Sequence, residues 1–314
     1  MSARAPARRP APRRCPAGIV VPPRIPGDTA RVVLIGAPGP LRSAIARRLR
    51  ASTALVACLD TPRHLRHILS SAYAPHSGSG LAGTAVVFLA VPQPPGLARR
   101  LRFRYRPSSL PGDFEQAAMT ARSRGAARVV VLSSVFCYDG SQQPLSPGSP
   151  TTAAAETSYA TAAEHAARLF TSVGGHSVIL RLGWAYSRDE SITSRVLAGA
   201  RRGWRLVDGD PAAWLAMIAQ SDAASAVLPA LAVPPGTYNI TDGRPVTQAT
   251  LNARLGAAAR MPLFPLDGDH WGRQGILFGR SRMIADATFS DLTGWQPRQP
   301  RAAEAMASML AAPG

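Results

Sequence analysis

Residues 31–42, RVVLIGAPGPLR, constrain the fold of this chain more than any other stretch. A β-branched run ends on Gly36, and Gly39 and Pro40 lead into a segment where Leu41, Ala44, Ile45 and Leu49 recur at helical spacing. This reads as strand, tight turn, helix. The unit then repeats: ALVACLD (54–60), TAVVFLAV (84–91) and ARVVVLSS (127–134) are apolar runs of strand length, the last preceded by the helical DFEQAAMTARSR. SVILRLGWAY (177–186) is a further strand, after the helical SYATAAEHAARLF (158–170). Runs that are apolar at every position belong to strands covered on both faces, and their alternation with helices predicts an α/β fold with a doubly wound parallel sheet, a Rossmann fold.

Beyond residue 187 the texture changes. PAAWLAMIAQSDAASAVLPALA (211–232) and VTQATLNARLGAAAR (246–260) read as helical, the second opened by Thr247, and GTYNIT (236–241) reads as a strand. The expected organisation is a disordered basic extension over 1–30, a dinucleotide-binding domain over 31–187, and over 188–314 a smaller, mainly substrate-binding domain with segments returning to the core.

Charge and cysteine usage narrow the partners. All 36 basic side chains are arginine, the chain has no lysine, and the formal charge is +18. Acidic partners such as nucleotide phosphates fit this balance, whereas nucleic acid is disfavoured because a block of the charge, six arginines against one acid, lies in the Pro- and Ala-rich segment over residues 1–30. No apolar run is long enough to span a membrane. Cys15, Cys58 and Cys137 have neither disulfide nor metal spacing, which predicts no metal and a reducing, cytoplasmic location, with organelle import through the basic N-terminal segment left open.

The glycine turn predicts a cofactor. Gly36 and Gly39 let the backbone approach a pyrophosphate resting on the helix that begins with Pro40 and Leu41. Arg42 stands where a third glycine would permit close helix packing, so either the helix stands off or the guanidinium points at phosphate. Asp60, 24 residues after Gly36, suits the ribose hydroxyls of NAD, while Arg63 and Arg66 suit the 2′-phosphate of NADP. Both cofactors stay open.

In order along the chain, IGAPGPL, VVFLAV, ARVVVLSSVFCYDG, SYATAAEHAARLF, VILRLGWAYS, IAQSDAASAVLPAL, GTYNITDGRPVTQATL and FSDLTGWQPR resemble segments of the extended short-chain dehydrogenase/reductase family. That family comprises nicotinamide-dependent nucleotide-sugar epimerases, dehydratases and ketoreductases. The resemblance runs from about residue 31 to 310. It implies a homodimer acting on a small molecule, phosphate-bearing in one reading, with Leu89, Ala90 and Val91 beside the cofactor. Ser134 would orient the substrate oxygen and Tyr159 would act as general acid or base. Tyr138 and Trp184 would face the substrate, as would Arg104 and Arg106 of the basic stretch GLARRLRFRYRPSS.

One departure matters most. Ala163 takes the position of the family's lysine, the cation that lowers the tyrosine pKa. An unperturbed tyrosine is ionised about one part in a thousand at pH 7, and bringing its pKa to neutrality takes roughly 4 kcal/mol of electrostatic help. Arg42 and Arg181 are the candidates by position to supply it. Otherwise Tyr159 stays neutral and donates a proton, which suits ketone reduction, dehydration or isomerisation, or the chain is a silent binding subunit. Glu164, beside Ala163, is expected in solvent or paired with Arg168.

Overall fold

The computed structural model describes residues 31–52, 55–65, 81–91, 110–152, 157–205, 209–265, 278–284, 286–299 and 301–312. The expected basic extension over 1–30 and the candidate residues Arg66, Arg104 and Arg106 lie outside them.

The first half alternates strand and helix. Strand β1 (Arg31–Ile35) passes through the glycine turn into helix α1 (Pro40–Ala51), followed by β2 (Leu55–Leu59), β3 (Thr84–Leu89), α2 (Leu110–Ser123) and β4 (Arg128–Ser134). A short strand β5 (Ser141–Leu145) precedes helix α3 (Ser158–Ser172) and β6 (His176–Leu182). The second half holds β7 (Trp184–Tyr186), α4 (Ser191–Ala200), β8 (Trp204–Arg205), β9 (Trp214–Leu215), β10 (Met217–Ala219), α5 (Gln220–Ser225) and α6 (Val227–Ala230). It continues through β11 (Gly236–Ile240), β12 (Val246–Thr247), α7 (Gln248–Ala259), β13 (Phe264–Pro265), β14 (Arg282–Ile284), α8 (Thr288–Thr293) and α9 (Ala302–Ala311).

Six strands form one parallel sheet in the order β11-β6-β4-β3-β1-β2. Alternate residues of each strand enter opposite layers, which is why the apolar runs are continuous. Val32, Leu34, Val87, Val130, Leu132, Val178 and Leu180 pack with Leu41, Ile45 and Leu49 of α1 on one face. Val33, Ile35, Val86, Phe88, Val129, Val131 and Ile179 pack with Phe114 of α2 and the alanines of α3 on the other. No helix among the described residues is long and apolar enough to cross a membrane.

Two expectations need correcting. SVILRLGWAY is not one strand: Gly183 breaks it, and a Cβ there would lie 2.9 Å from the Ala216 carbonyl oxygen. The Gly183 N–H donates to Ile240 O at 3.0 Å and the Trp184 N–H to Ala216 O at 2.8 Å, so the chain leaves the main sheet there and β7 pairs with β10. The first part of 211–232 is likewise strand, because β9 pairs antiparallel with β12 and β10 pairs with β7. Its apolar run WLAMIA is ambiguous between helix and strand until those partners are known.

Two buried carboxylates tie the C-terminal segments to this frame. Asp222 Oδ2 accepts from the backbone N–H groups of Arg298 (3.0 Å) and Gln299 (2.9 Å). Asp242 accepts from the N–H groups of Arg244 (3.0 Å) and Ala302 (3.2 Å), the latter at the start of α9. Burial pushes the Asp242 carboxyl up to about 6.

Candidate active site

The glycine turn lies where strand order reverses, since β2 and β3 flank β1 on opposite sides. In an open parallel sheet this opens a crevice at the carboxyl ends of the strands, where ligands bind. Gly36 follows β1 directly, its N–H donating to Leu59 O at 2.8 Å. A Cβ on Gly36 would lie 2.6 Å from Leu89 Cβ and 3.0 Å from Leu89 O, so only glycine fits between β1 and β3. Gly39 precedes α1 in an extended conformation (φ 171°) open to any residue. We expect Gly36→Ala to destabilise the fold by about 2 kcal/mol through forced displacement of Leu89, measured by urea denaturation.

Arg42 resolves its two alternatives in a third way. Its guanidinium crosses the strand ends, donating to Gly36 O (2.9 Å), Leu59 O (3.4 Å) and the Asp60 carboxylate (2.5 Å). The acid expected to hold a ribose is thus already paired, while about half of its side chain stays exposed. Arg63 donates to Asp113 of α2 at 2.8 Å. Leu41, Leu89 and Ala90 are buried in the core, and Val91 packs on it half-buried, so any contact they offer a cofactor is through the backbone. Pro40 occupies the first turn of α1, where its missing N–H is not needed.

Ser134 and Tyr159 reach the same end of the sheet from β4 and from the first turn of α3. Ser134 is buried, and its Oγ accepts from the Phe136 N–H at 3.2 Å, capping the 3-10 turn Val135–Cys137. That contact uses one lone pair and leaves the hydroxyl proton to donate. The half-buried Tyr159 ring stands edge-on to Phe114, centroids 4.7 Å apart. Ala163 has no exposed surface and packs in the apolar layer with Ala162, Ala166 and Ala167 of α3 and Ala117 and Ala118 of α2. Trp184 is buried edge-on to Phe278 with centroids 4.9 Å apart, and Phe136 meets the same ring at 5.4 Å.

The largest departure from expectation is Glu164. It is 2 % exposed and faces the sheet. Arg181 of β6 grips it with two donors, Nε to Oε1 at 2.9 Å and a terminal nitrogen to Oε2 at 2.7 Å, and the Ser133 hydroxyl donates to Oε1 at 2.6 Å. The expected contact to Arg168 is present at 3.5 Å, at the rim. Burial pushes the Glu164 carboxyl up, but hydrogen bonding and charge from Arg181, with the Ser133 bond, outweigh it and hold it below the usual range. Burial likewise lowers the Arg181 pKa, and Glu164 more than reverses this, holding the guanidinium charged. The adjacent Cys137 thiol is pushed up to about 11, by burial first and by Glu164 second.

Arg181 extends this network outward. It donates to Pro147 O at 3.2 Å, and its guanidinium carbon lies 4.7 Å from the Tyr138 ring centroid. The Tyr138 hydroxyl donates to Asn239 Oδ1 at 2.6 Å on β11. Tyr138 has no exposed surface, so it supports the site from beneath. Arg42 and Arg181, the two cations proposed for Tyr159, are therefore engaged with Asp60 and Glu164. Sequence reasoning missed the Glu164 site, although a signal existed. Arg181 interrupts a buried apolar strand, and Glu164 is the one acid in α3 that could neutralise it.

No protein-family model and no curated protein sequence matches the chain. Solved structures do. The chain is similar to MoeE5 in complex with UDP-glucose and NAD, at 20% identity and a TM-score of 0.65, covering 89% of this chain and 97% of that one. It is similar to the human epimerase family protein SDR39U1 with NADPH, at 20% identity and a TM-score of 0.66, covering 89% and 99%. It also resembles UDP-glucuronic acid 4-epimerase from Bacillus cereus, in complex with UDP-glucuronic acid and NAD, at 14% identity and a TM-score of 0.67, covering 89% and 98%. At these identities the likeness is one of fold, and it establishes a Rossmann architecture across most of the chain.

Proposed function

We propose that this chain is a nicotinamide-dinucleotide-dependent enzyme of the reductase, epimerase or dehydratase kind, acting on a nucleotide sugar or another specialised metabolite held over the segment 188–314. The observation that carries the reading is the glycine turn: Gly36, with no side chain, lets β1 close against Leu89 and turn directly into the amino end of α1, at the reversal point of the sheet. A pyrophosphate would rest on that helix end. The bound nicotinamide would supply or accept the hydride. Ser134 would hold a substrate oxygen with its remaining O–H, and Tyr159 would give that oxygen a proton. The similar structures, two holding a UDP-sugar with NAD and one holding NADPH, support the ligand classes.

Asp60 is paired with Arg42 yet keeps about half of its side chain exposed, and Arg63 beside it is also more than half exposed, so the ribose end offers both charges and NADH and NADPH are both candidates. Calorimetric titration of the full chain with both tests this, and absence of binding by either overturns the reading. With a panel of nucleotide sugars and absorbance at 340 nm as readout, Tyr159→Phe should lower turnover roughly 10²-fold or more without weakening dinucleotide binding. A second reading rests on the engagement of Arg42 and Arg181 elsewhere: a neutral Tyr159 acting as acid in a non-redox isomerisation or elimination. Turnover that persists in dinucleotide-free protein would favour it.

A further inference from the structure

The ion pair at the ends of β1 and β2 keeps hydrogen-bonding capacity that the fold does not use. Arg42, the third residue of α1, spans these two neighbouring strands through a single nitrogen, Nη1, which donates to Gly36 O, Leu59 O and Asp60 Oδ1. A guanidinium has five N–H donors in a planar fork. Nε and Nη2 of Arg42 make no hydrogen bond among the described residues, and neither is buried. Asp60 Oδ2 likewise has no partner among the described residues, on a side chain that is 48% exposed.

Both free edges lie at the strand ends, where an adenosine ribose would need them. The crevice outside the carboxyl ends of an open parallel sheet takes the ligand, and an acid at the end of the second strand accepts from the ribose hydroxyls. A lone carboxylate in that place would repel a 2′-phosphate. Arg42 cancels the repulsion, because a contact ion pair carries no net charge, and the Nε and Nη2 edge of a guanidinium matches two phosphate oxygens at once. Arg63 is placed less well for this task, since its Nε is bound to Asp113 of α2 at 2.8 Å.

We propose that the Arg42–Asp60 pair sets the cofactor specificity and makes it dual. Asp60 Oδ2 accepts from the ribose hydroxyls of NADH, and the free edge of Arg42 binds the 2′-phosphate of NADPH. Arg42, at the place of a third glycine, is then the specificity-determining cation, and Arg63 is not. This rests on the dinucleotide reading above and assigns its adenosine end residue by residue.

The test is calorimetric titration of the full chain and its variants with NADH and with NADPH. The parent should bind the two with dissociation constants within about tenfold of each other. Asp60→Asn should weaken NADH about tenfold and leave NADPH as tight or tighter, whereas Arg42→Met should weaken NADPH about tenfold or more and spare NADH. The ratio of the two affinities thus moves in opposite directions. Arg42→Lys keeps the charge without the fork and should also weaken NADPH more than NADH, which covers the case in which loss of three hydrogen bonds unfolds Arg42→Met. Arg63→Ala should leave the ratio where the parent has it. The proposal is overturned if the Arg42 variants weaken both dinucleotides alike, since Arg42 would then only brace the turn. It is also overturned if Arg63→Ala alone abolishes NADPH binding, or if the parent prefers one dinucleotide by more than about a hundredfold. Those results leave the dinucleotide reading standing. Only a parent that binds neither NADH nor NADPH sinks that reading, and this proposal with it.

Discussion

Ala163→Lys, which restores the lysine of the resembled family, should destabilise this protein by roughly 4 kcal/mol or more and should not raise its activity. Ala163 is fully buried where α3 meets α2 through small side chains on both sides, Ala162, Ala166 and Ala167 against Ala117, Ala118 and Ala121. An ammonium placed there loses its hydration, and its long stem forces the two helices apart. Desolvation would lower the pKa of the introduced amine below its unfolded value. Between the two pKa values the unfolded state would bind more protons, so this part of the deficit should be fully present below the folded pKa and shrink as pH rises toward the unfolded one. Overpacking alone gives a deficit that does not change with pH. Because the parent carries the same tyrosines and cysteines, the difference between variant and parent curves belongs to the introduced amine. Chemical denaturation at several pH values measures this, and a variant as stable as the parent with higher turnover would show that the space beside Tyr159 admits a cation.

This outcome bears on what the sequence could reveal. The strands and the glycine turn were legible because continuous apolar runs and a glycine between strand and helix each have few structural solutions. The alanine at position 163 was legible as a missing cation but not as a packing residue. Burial of α3 depends on α2 arriving through Phe114 and its alanines, a long-range contact that no local pattern reports. The same limit explains 211–232, where WLAMIA is strand only because β7 and β12 present partners. Glu164 was misplaced for the opposite reason. Local spacing offered Arg168 one turn away, and the stronger partner, Arg181, comes from a strand 17 residues later.

Glu164→Gln should be the most damaging single change on the sheet-facing side of α3, costing about 3–5 kcal/mol, because it leaves the Arg181 guanidinium buried without its counter-charge. Both side chains are almost wholly buried, at 2% and 6% exposure, so solvent screens little of the interaction. The sign of the pH dependence follows from the lowered Glu164 pKa. Its stabilisation is complete above the unfolded carboxyl pKa and is lost as pH falls through the folded value, so parent and Glu164→Gln curves should converge in acid. Replacing both partners, Glu164→Met with Arg181→Met, removes the stranded charge and should recover most of the loss. The two outcomes together distinguish a pair that supplies net stability from one that sets geometry. If the double variant is as stable as the parent while turnover and dinucleotide affinity separate, the pair acts by fixing α3 on β4 and β6. Helical rise places Tyr159 about 7.5 Å from Glu164 along the axis, toward the carboxyl ends of the strands, so a small tilt about this anchor moves the tyrosine relative to Ser134. Full retention of stability in Glu164→Gln would show instead that water reaches Arg181 and that the pair is not a buried one.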